Sequence, residues 1–272
     1  MTLISLAYNR FVVGVSTDTQ LTYIDSGTSA GDAIKSLSFR CANGKFLAAY
    51  TGNNIFLEDG VHVVDWVTNL LSNADIGSKK VDEVIQEIVQ GLNEKHYISQ
   101  PAALIILIAG WRENNNIVYR ITNIGEDGDL SPKQTFEVFM SEDESGVIVD
   151  GSIKIGMDDS FDTKVEAVRE LLKSTTPENF RDIIGPELYS LNQIAHNHPT
   201  QGKYIGENTM FTFIQPVGDG MDAWRYPEGQ TKYMLPNFSN AAMSVKGIVV
   251  HNDPVEGGTI QMDIKGWPPR KG

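Results

Sequence analysis

MTLISLAYNRFVVGVSTD, residues 1–18, opens the chain with two β-rich runs and almost nothing between them. Residues 2–8 and 11–17 are dense in β-branched and apolar side chains, and Asn9-Arg10 separates them. Two such runs across a short polar break signal a β-hairpin. A second pair follows at residues 36–41 and 45–50, across Asn43-Gly44, a dipeptide suited to a type I′ turn. Between the hairpins, residues 22–32 are rich in Ser, Thr, Gly and Asp and read as a loop.

Moving outward, the hydrophobic period changes from two to 3.6. Val63, Val67, Leu70 and Leu71 share one helical face. Val81, Val84, Ile85, Ile88 and Leu92 share another, after a break at Ile76-Gly77. Strands then return. Residues 103–109 are apolar enough to be buried on both faces, and residues 117–123 pair with them across 113–116. Residues 135–140 and 147–155 flank an acidic turn at 141–146. A second helix pair begins with Phe161, Val165, Val168 and Leu172. Pro177 suits the first turn of the following helix, with Thr176 as N-cap. Leu188, Leu191 and Ile194 continue its apolar face, and Gly185-Pro186 is expected to break it. Residues 209–214 form the next strand, and 223–226, 244–250 and 259–264 are further candidates before a Pro/Gly/basic tail at 266–272.

Strands in blocks and helices in consecutive pairs exclude a βαβ parallel sheet. Two antiparallel sheets between two helix pairs satisfy every apolar face. The expected fold is therefore α+β, a four-layer αββα sandwich. No internal repeat or low-complexity linker divides the chain, so residues 1–216 read as the main body and 217–272 as C-terminal strands and an extension of the same domain.

The net charge of −13 argues against nucleic-acid or anionic-membrane partners, which repel an acidic protein. The single cysteine, Cys41, permits no intrachain disulfide and fits a reducing compartment. The first ten residues lack a basic flank. The longest apolar run, 102–110, falls far short of the roughly 20 residues a bilayer requires. A cytoplasmic protein without a membrane partner is expected.

The element order, together with the residues at its start, resembles the proteasome β-subunit family and its bacterial relatives of the HslV type. The resemblance covers roughly residues 2–214. In that family an N-terminal Thr is exposed by removal of whatever precedes it, and here removal of Met1 would expose Thr2. An Asp closes the second strand, matching Asp18 in VVGVSTD. A Lys opens the third, matching Lys35 in AIKSLSF. A Gly whose amide lines the oxyanion hole ends the fourth, matching Gly52 in FLAAYTG. A Gly-Ser pair precedes the third helix, matching Gly151-Ser152. The residue two before the oxyanion Gly forms the base of the S1 pocket, which makes Tyr50 the implied specificity residue and small or medium P1 side chains the implied preference. Thr19-Gln20 and Leu3 depart from the family pattern. Its later Asp-x-x-Ser-Gly is replaced by QGKYIGENTMF, residues 201–211, where Gly206 is the remnant.

The chemistry these residues imply is coherent. A Thr hydroxyl is a weak nucleophile that needs an adjacent base. A free α-amino group, with a pKa of about 7.7–8.0, can accept that proton near neutral pH. Lys35 would place positive charge beside amine and hydroxyl, and Asp18 would fix that ammonium by a charge-assisted bond. The Gly52 N–H would stabilise a tetrahedral oxyanion, worth about 3 kcal/mol by analogy with other hydrolases. The resemblance thus implies a threonine-type peptidase or amidase, an N-terminal-nucleophile hydrolase without cofactor. It also implies enclosure in a homo-oligomeric ring, peptide or protein substrates, and an ATP-driven unfoldase as a further partner. Two other functions fit the same scaffold: a non-catalytic structural or binding subunit, and a small-molecule acylase with a deeper, closed pocket. His196-Asn197-His198 invites a metal, but no second ligand cluster accompanies it. Cys41 sits within a hairpin without a marked His partner and reads as a buried small residue.

Overall fold

The computed structural model describes residues 3–22, 29–32, 35–52, 63–71, 73–94, 103–125, 132–151, 159–199, 202–216, 222–227, 243–245, 248–252 and 262–264. The opening hairpin forms as β1 (Ile4–Asn9) and β2 (Val12–Asp18). A short pair, β3 (Gln20–Thr22) and β4 (Ser29–Asp32), follows. The second hairpin is β5 (Ser36–Cys41) and β6 (Gly44–Gly52). Helices α1 (Val63–Leu71) and α2 (Val81–Glu94) lead to β7 (Leu104–Arg112), β8 (Asn115–Ile124), β9 (Pro132–Ser141) and β10 (Gly146–Asp150). Helices α3 (Asp159–Leu172) and α4 (Phe180–His196) precede β11 (Thr209–Ile214) and β12 (Asp222–Tyr226). Strands β13 (Met243–Val245), β14 (Ile248–Asn252) and β15 (Met262–Ile264) make a small sheet of their own.

Two five-stranded sheets carry the fold, ordered β10-β1-β2-β11-β12 and β5-β6-β7-β8-β9, with antiparallel neighbours throughout. Strand alternation sorts their side chains into layers. Ile4, Leu6, Val13, Val15, Leu47, Ala49 and Leu107 fill the space between the sheets. Phe46, Ala48, Ile106 and Ile108 face the other way and pack beneath α1 and α2 with Val67, Val84 and Ile88. Leu3, Ala7, Phe211 and Phe213 pack beneath α3 and α4 with Phe161, Val168, Phe180 and Leu188. The result is the four-layer αββα sandwich with two antiparallel sheets between helix pairs. Both helix pairs are amphipathic for the reason their spacing predicts: each has one sheet face to cover.

Several elements depart from the sequence reading. Residues 22–32 are not wholly a loop, because β3 pairs with β4. Residues 244–250 do not form one strand; β13 and β14 pair antiparallel, and 246–247 lie outside the described residues. Of the strand expected at 147–155, β10 ends at Asp150, and 152–155 lie outside the described residues. Thr176 is not the N-cap and Pro177 is not inside the helix. Residues 177–179 form a turn, and Thr176 N–H donates to the Asn179 side chain at 2.8 Å before α4 starts at Phe180. Nor does α4 break at Gly185-Pro186. The carbonyl that Pro186 leaves unserved belongs to Asp182, four residues earlier in the first turn, and both residues face solvent. Gly185 is held against the Tyr226 ring, where a Cβ would come within 2.3 Å of the phenol oxygen.

Among the described residues no helix is long and apolar enough to cross a membrane.

Candidate functional site

Asp18 ends β2 flanked on both sides. The β1–β2 register sets Ile4 opposite Thr17, so the chain before β1 runs beside Asp18, and on the other edge Thr209 of β11 lies directly across from it. Its carboxylate is fully buried. Oδ2 accepts the Leu3 N–H at 3.1 Å. Oδ1 accepts Lys35 Nζ at 3.0 Å, the Gln20 N–H at 3.1 Å and the Gly206 N–H at 3.3 Å. The bond from Gln20, two residues on, is the local turn that Asp favours at a strand end.

Lys35, the residue before β5, is 2 % exposed. Its ammonium donates to Asp18 and to the Gln20 carbonyl at 2.6 Å. A buried ammonium or a buried carboxylate is costly alone, so each requires the other together with further hydrogen bonds. The pair also joins the sheets, since Asp18 belongs to one and Lys35 leads into the other. Beside it the Ser36 and Thr212 hydroxyls bond across the same gap at 3.0 Å.

Thr2 and Ser152 lie outside the described residues. The Leu3 amide, which closes the Thr2–Leu3 peptide, is bound by Asp18. On the far side of β1, Ile4 faces Asp150 of β10. The Gly151 N–H donates to Asp150 Oδ1 at 2.9 Å, and the other carboxylate oxygen is ion-paired to Arg120 of β8 in the facing sheet. The entry to β1 is thus flanked by two ion pairs that each cross between the sheets, Asp18–Lys35 and Asp150–Arg120. The second was not foreseen from sequence; a carboxylate one residue before the Gly-Ser pair was its available signal.

Gly52 closes β6 opposite Leu104 with φ of +121°, a region that side chains disfavour. A Cβ there would sit 2.1 Å from the Ala103 carbonyl oxygen. Gly52→Ala should therefore lower stability by about 2 kcal/mol, read from urea unfolding; an unchanged midpoint would show that the backbone relaxes freely. Tyr50 is tied to Lys35 through its backbone, its N–H donating to the Lys35 carbonyl at 3.2 Å. Its half-buried side chain packs against the core beneath α1 and α2. Asp18, Lys35 and the Tyr50–Gly52 strand end are thus drawn together, with Gly206 added to them.

The competing residues have structural explanations. The His196 ring bonds the Ile205 carbonyl through Nδ1 at 2.6 Å. Among the described residues no group of three or more His, Cys, Asp or Glu is placed to hold a metal ion. Cys41 is buried, and desolvation pushes its thiol up to about 12. The thiolate is the reactive form, so alkylation of the folded protein at pH 8 should be slower than that of the urea-unfolded chain by at least about two orders of magnitude. Because the folded-state value is raised, this group's stabilising effect is complete below the unfolded-state value near 9 and is lost as pH rises from there towards 12. Rapid labelling without urea would contradict the burial.

These features define an α+β protein, a four-layer αββα sandwich with a buried ion pair at the entry to its first strand. No family model matches the sequence, and no curated protein matches it. Among solved structures, the chain resembles Anbu (ancestral beta-subunit) from Yersinia bercovieri, with a TM-score of 0.50 and 10% identity over 88% of this chain and 89% of that one. At that identity the likeness establishes the shared fold.

Proposed function

We propose that this chain is a threonine-type peptidase or amidase of a proteasome-like, self-compartmentalising assembly, with Thr2 as nucleophile once Met1 is removed. The observation that carries the reading is the buried Asp18–Lys35 pair, bonded to the amide that follows Thr2. A buried lysine is a demanding device for holding two strands together. It has a clear use if it tunes an amine and a hydroxyl at the start of β1.

In this reading the Thr2 α-amine takes the hydroxyl proton, directly or through water, as oxygen attacks the substrate carbonyl. The Gly52 N–H receives the oxyanion, and Ser152 hydrogen-bonds the amine. The amine then protonates the leaving group, and water hydrolyses the acyl-enzyme by the reverse route. Tyr50 limits the S1 pocket to small or medium side chains; a cleavage profile dominated by Trp or Phe at P1 would overturn that assignment. Residues 217–272 belong to the same domain, supported by the pairing of β12 with β11. A cytoplasmic homo-oligomeric ring, resembling the HslV type, would keep such a site away from folded proteins, and an ATP-driven unfoldase would feed it.

Intact mass of protein made in cells tests the first condition, with loss of Met1 as the expected result. A peptide epoxyketone tests the second. That warhead has two electrophilic carbons and engages hydroxyl and amine together, so one adduct mapped to Thr2 is expected. A mature chain beginning at Thr2 that takes up no epoxyketone and no β-lactone would instead assign the non-catalytic role.

A further inference from the structure

The backbone at residues 205–208 is held from two sides. From the helix side, Asn192 Nδ2 donates to the Gly206 carbonyl at 2.8 Å, Gln193 Nε2 to the Glu207 carbonyl at 2.7 Å, and His196 Nδ1 to the Ile205 carbonyl at 2.6 Å. A carbonyl only accepts, so His196 carries its proton on Nδ1 in this contact. His196 lies four residues after Asn192 and three after Gln193, so it neighbours both on the surface of α4. Three adjacent side chains therefore bind three consecutive carbonyls. From the sheet side, the Gly206 N–H meets Asp18, and the Asn208 carbonyl accepts the Thr19 N–H at 3.0 Å.

The Ile205–Gly206 peptide is the centre of this arrangement. Its oxygen is bound by His196 and its nitrogen by the carboxylate that holds Lys35. Hydrogen bonds in series polarise one another, so the His196 donor strengthens the Gly206 N–H, while Asn192 and Gln193 orient the backbone that follows it. The turn entering the segment is packed tightly onto α4. Gly202 N–H donates to the His198 carbonyl at 2.9 Å, and a Cβ on Gly202 would lie 1.8 Å from the His196 carbonyl oxygen.

We infer that Asn192, Gln193 and His196 are positioning residues which hold the 205–207 backbone so that the Gly206 N–H is fixed on the Asp18 carboxylate. The catalytic consequence rests on the reading of Asp18–Lys35 as the support for Thr2; the strap itself does not. Residues of α4 that touch neither Asp18 nor Lys35 thereby set the charge environment of the pair.

Hydrogen exchange of the full chain, followed by fragmentation to single amides, is the first test. In Asn192→Leu and in His196→Ala the Gly206 amide should exchange at least about tenfold faster, while β6 to β8 remain unchanged. His196→Asn keeps a donor near the Nδ1 position and should restore wild-type protection. The second test is a stability cycle between Asn192→Leu and Asp18→Asn, with His196→Ala replacing Asn192→Leu if that variant does not fold. The combined variant should depart from additivity by at least about threefold in the folding equilibrium constant. Additive losses with uniformly faster exchange would overturn the strap, because independent packing defects predict that pattern. A coupled cycle in a chain that ignores the epoxyketone would retain the strap and remove the peptidase reading. Labelling of Thr2 with an additive cycle would do the reverse.

Discussion

Lys35→Met should destabilise the fold by about 3–5 kcal/mol, the usual consequence of removing one partner from a buried ion pair. The remaining carboxylate keeps three N–H donors, from Leu3, Gln20 and Gly206, but has no cation in a fully buried position. Asp18→Ala should be worse. It removes the carboxylate that balances the buried ammonium and the acceptor of all three amides at once. Lys35→Met combined with Asp18→Asn should recover much of the loss, since no charge is then buried and Asn retains an acceptor oxygen. Urea unfolding of the four chains gives the comparison. Added salt should not rescue the single variants, because a pair this deeply buried is poorly screened. If Lys35→Met unfolds like the parent, Asp18 is not held as a charged acceptor and the site loses its support.

The opening hairpins, the helix pairs and the layer order were legible because each rests on local periodicity. Apolar faces at Ile4, Leu6, Val13 and Val15 must be covered, and few architectures cover them. The meeting of Asp18 and Lys35 was expected for a different reason, a resemblance in their spacing along the chain, and the structure pairs the two. Arg120–Asp150 was not legible, because the partners are thirty residues apart and neither residue type is unusual on a strand. The strap was legible only at Gly206. Asn192, Gln193 and His196 act through backbone carbonyls, and a carbonyl has no sequence signature. The His196-Asn197-His198 run invites metal chemistry, but the ring of its first residue serves the Ile205 carbonyl.

The departures have one physical theme. Pro186 is accommodated within α4 because the bond it removes lies at the exposed first turn, and Gly185 because a ring needs the space. Local signals for a break are real, but the exposed position of the lost bond and the close packing of Gly185 on Tyr226 let the helix continue. Likewise β3 and β4 pair across a polar stretch with little intrinsic strand preference. They continue the chain from Asp18 towards Lys35, so their pairing brings the two halves of the ion pair back together.

The N-terminus carries the other large effect. With a peptide substrate, Thr2→Ala should reduce turnover by about 10⁴-fold or more, the scale seen when a nucleophile is deleted. An added residue between Met1 and Thr2, chosen so that it is retained, should cost about as much by a separate route. It leaves the hydroxyl in place but converts the α-amine into an amide that cannot accept a proton. Thr2→Ser should keep a measurable fraction of activity, because hydroxyl and amine both survive. The Leu3 N–H bond to Asp18 is available to all of these chains, so their unfolding midpoints should agree closely. The informative pattern is therefore two silent variants and one active variant at equal stability. An active chain with a blocked amine would move the base elsewhere, to Lys35 or an unassigned group, even though Thr2 remained the nucleophile. Activity in Thr2→Ala would remove Thr2 from the chemistry and leave the buried pair as a structural tie at the start of β1.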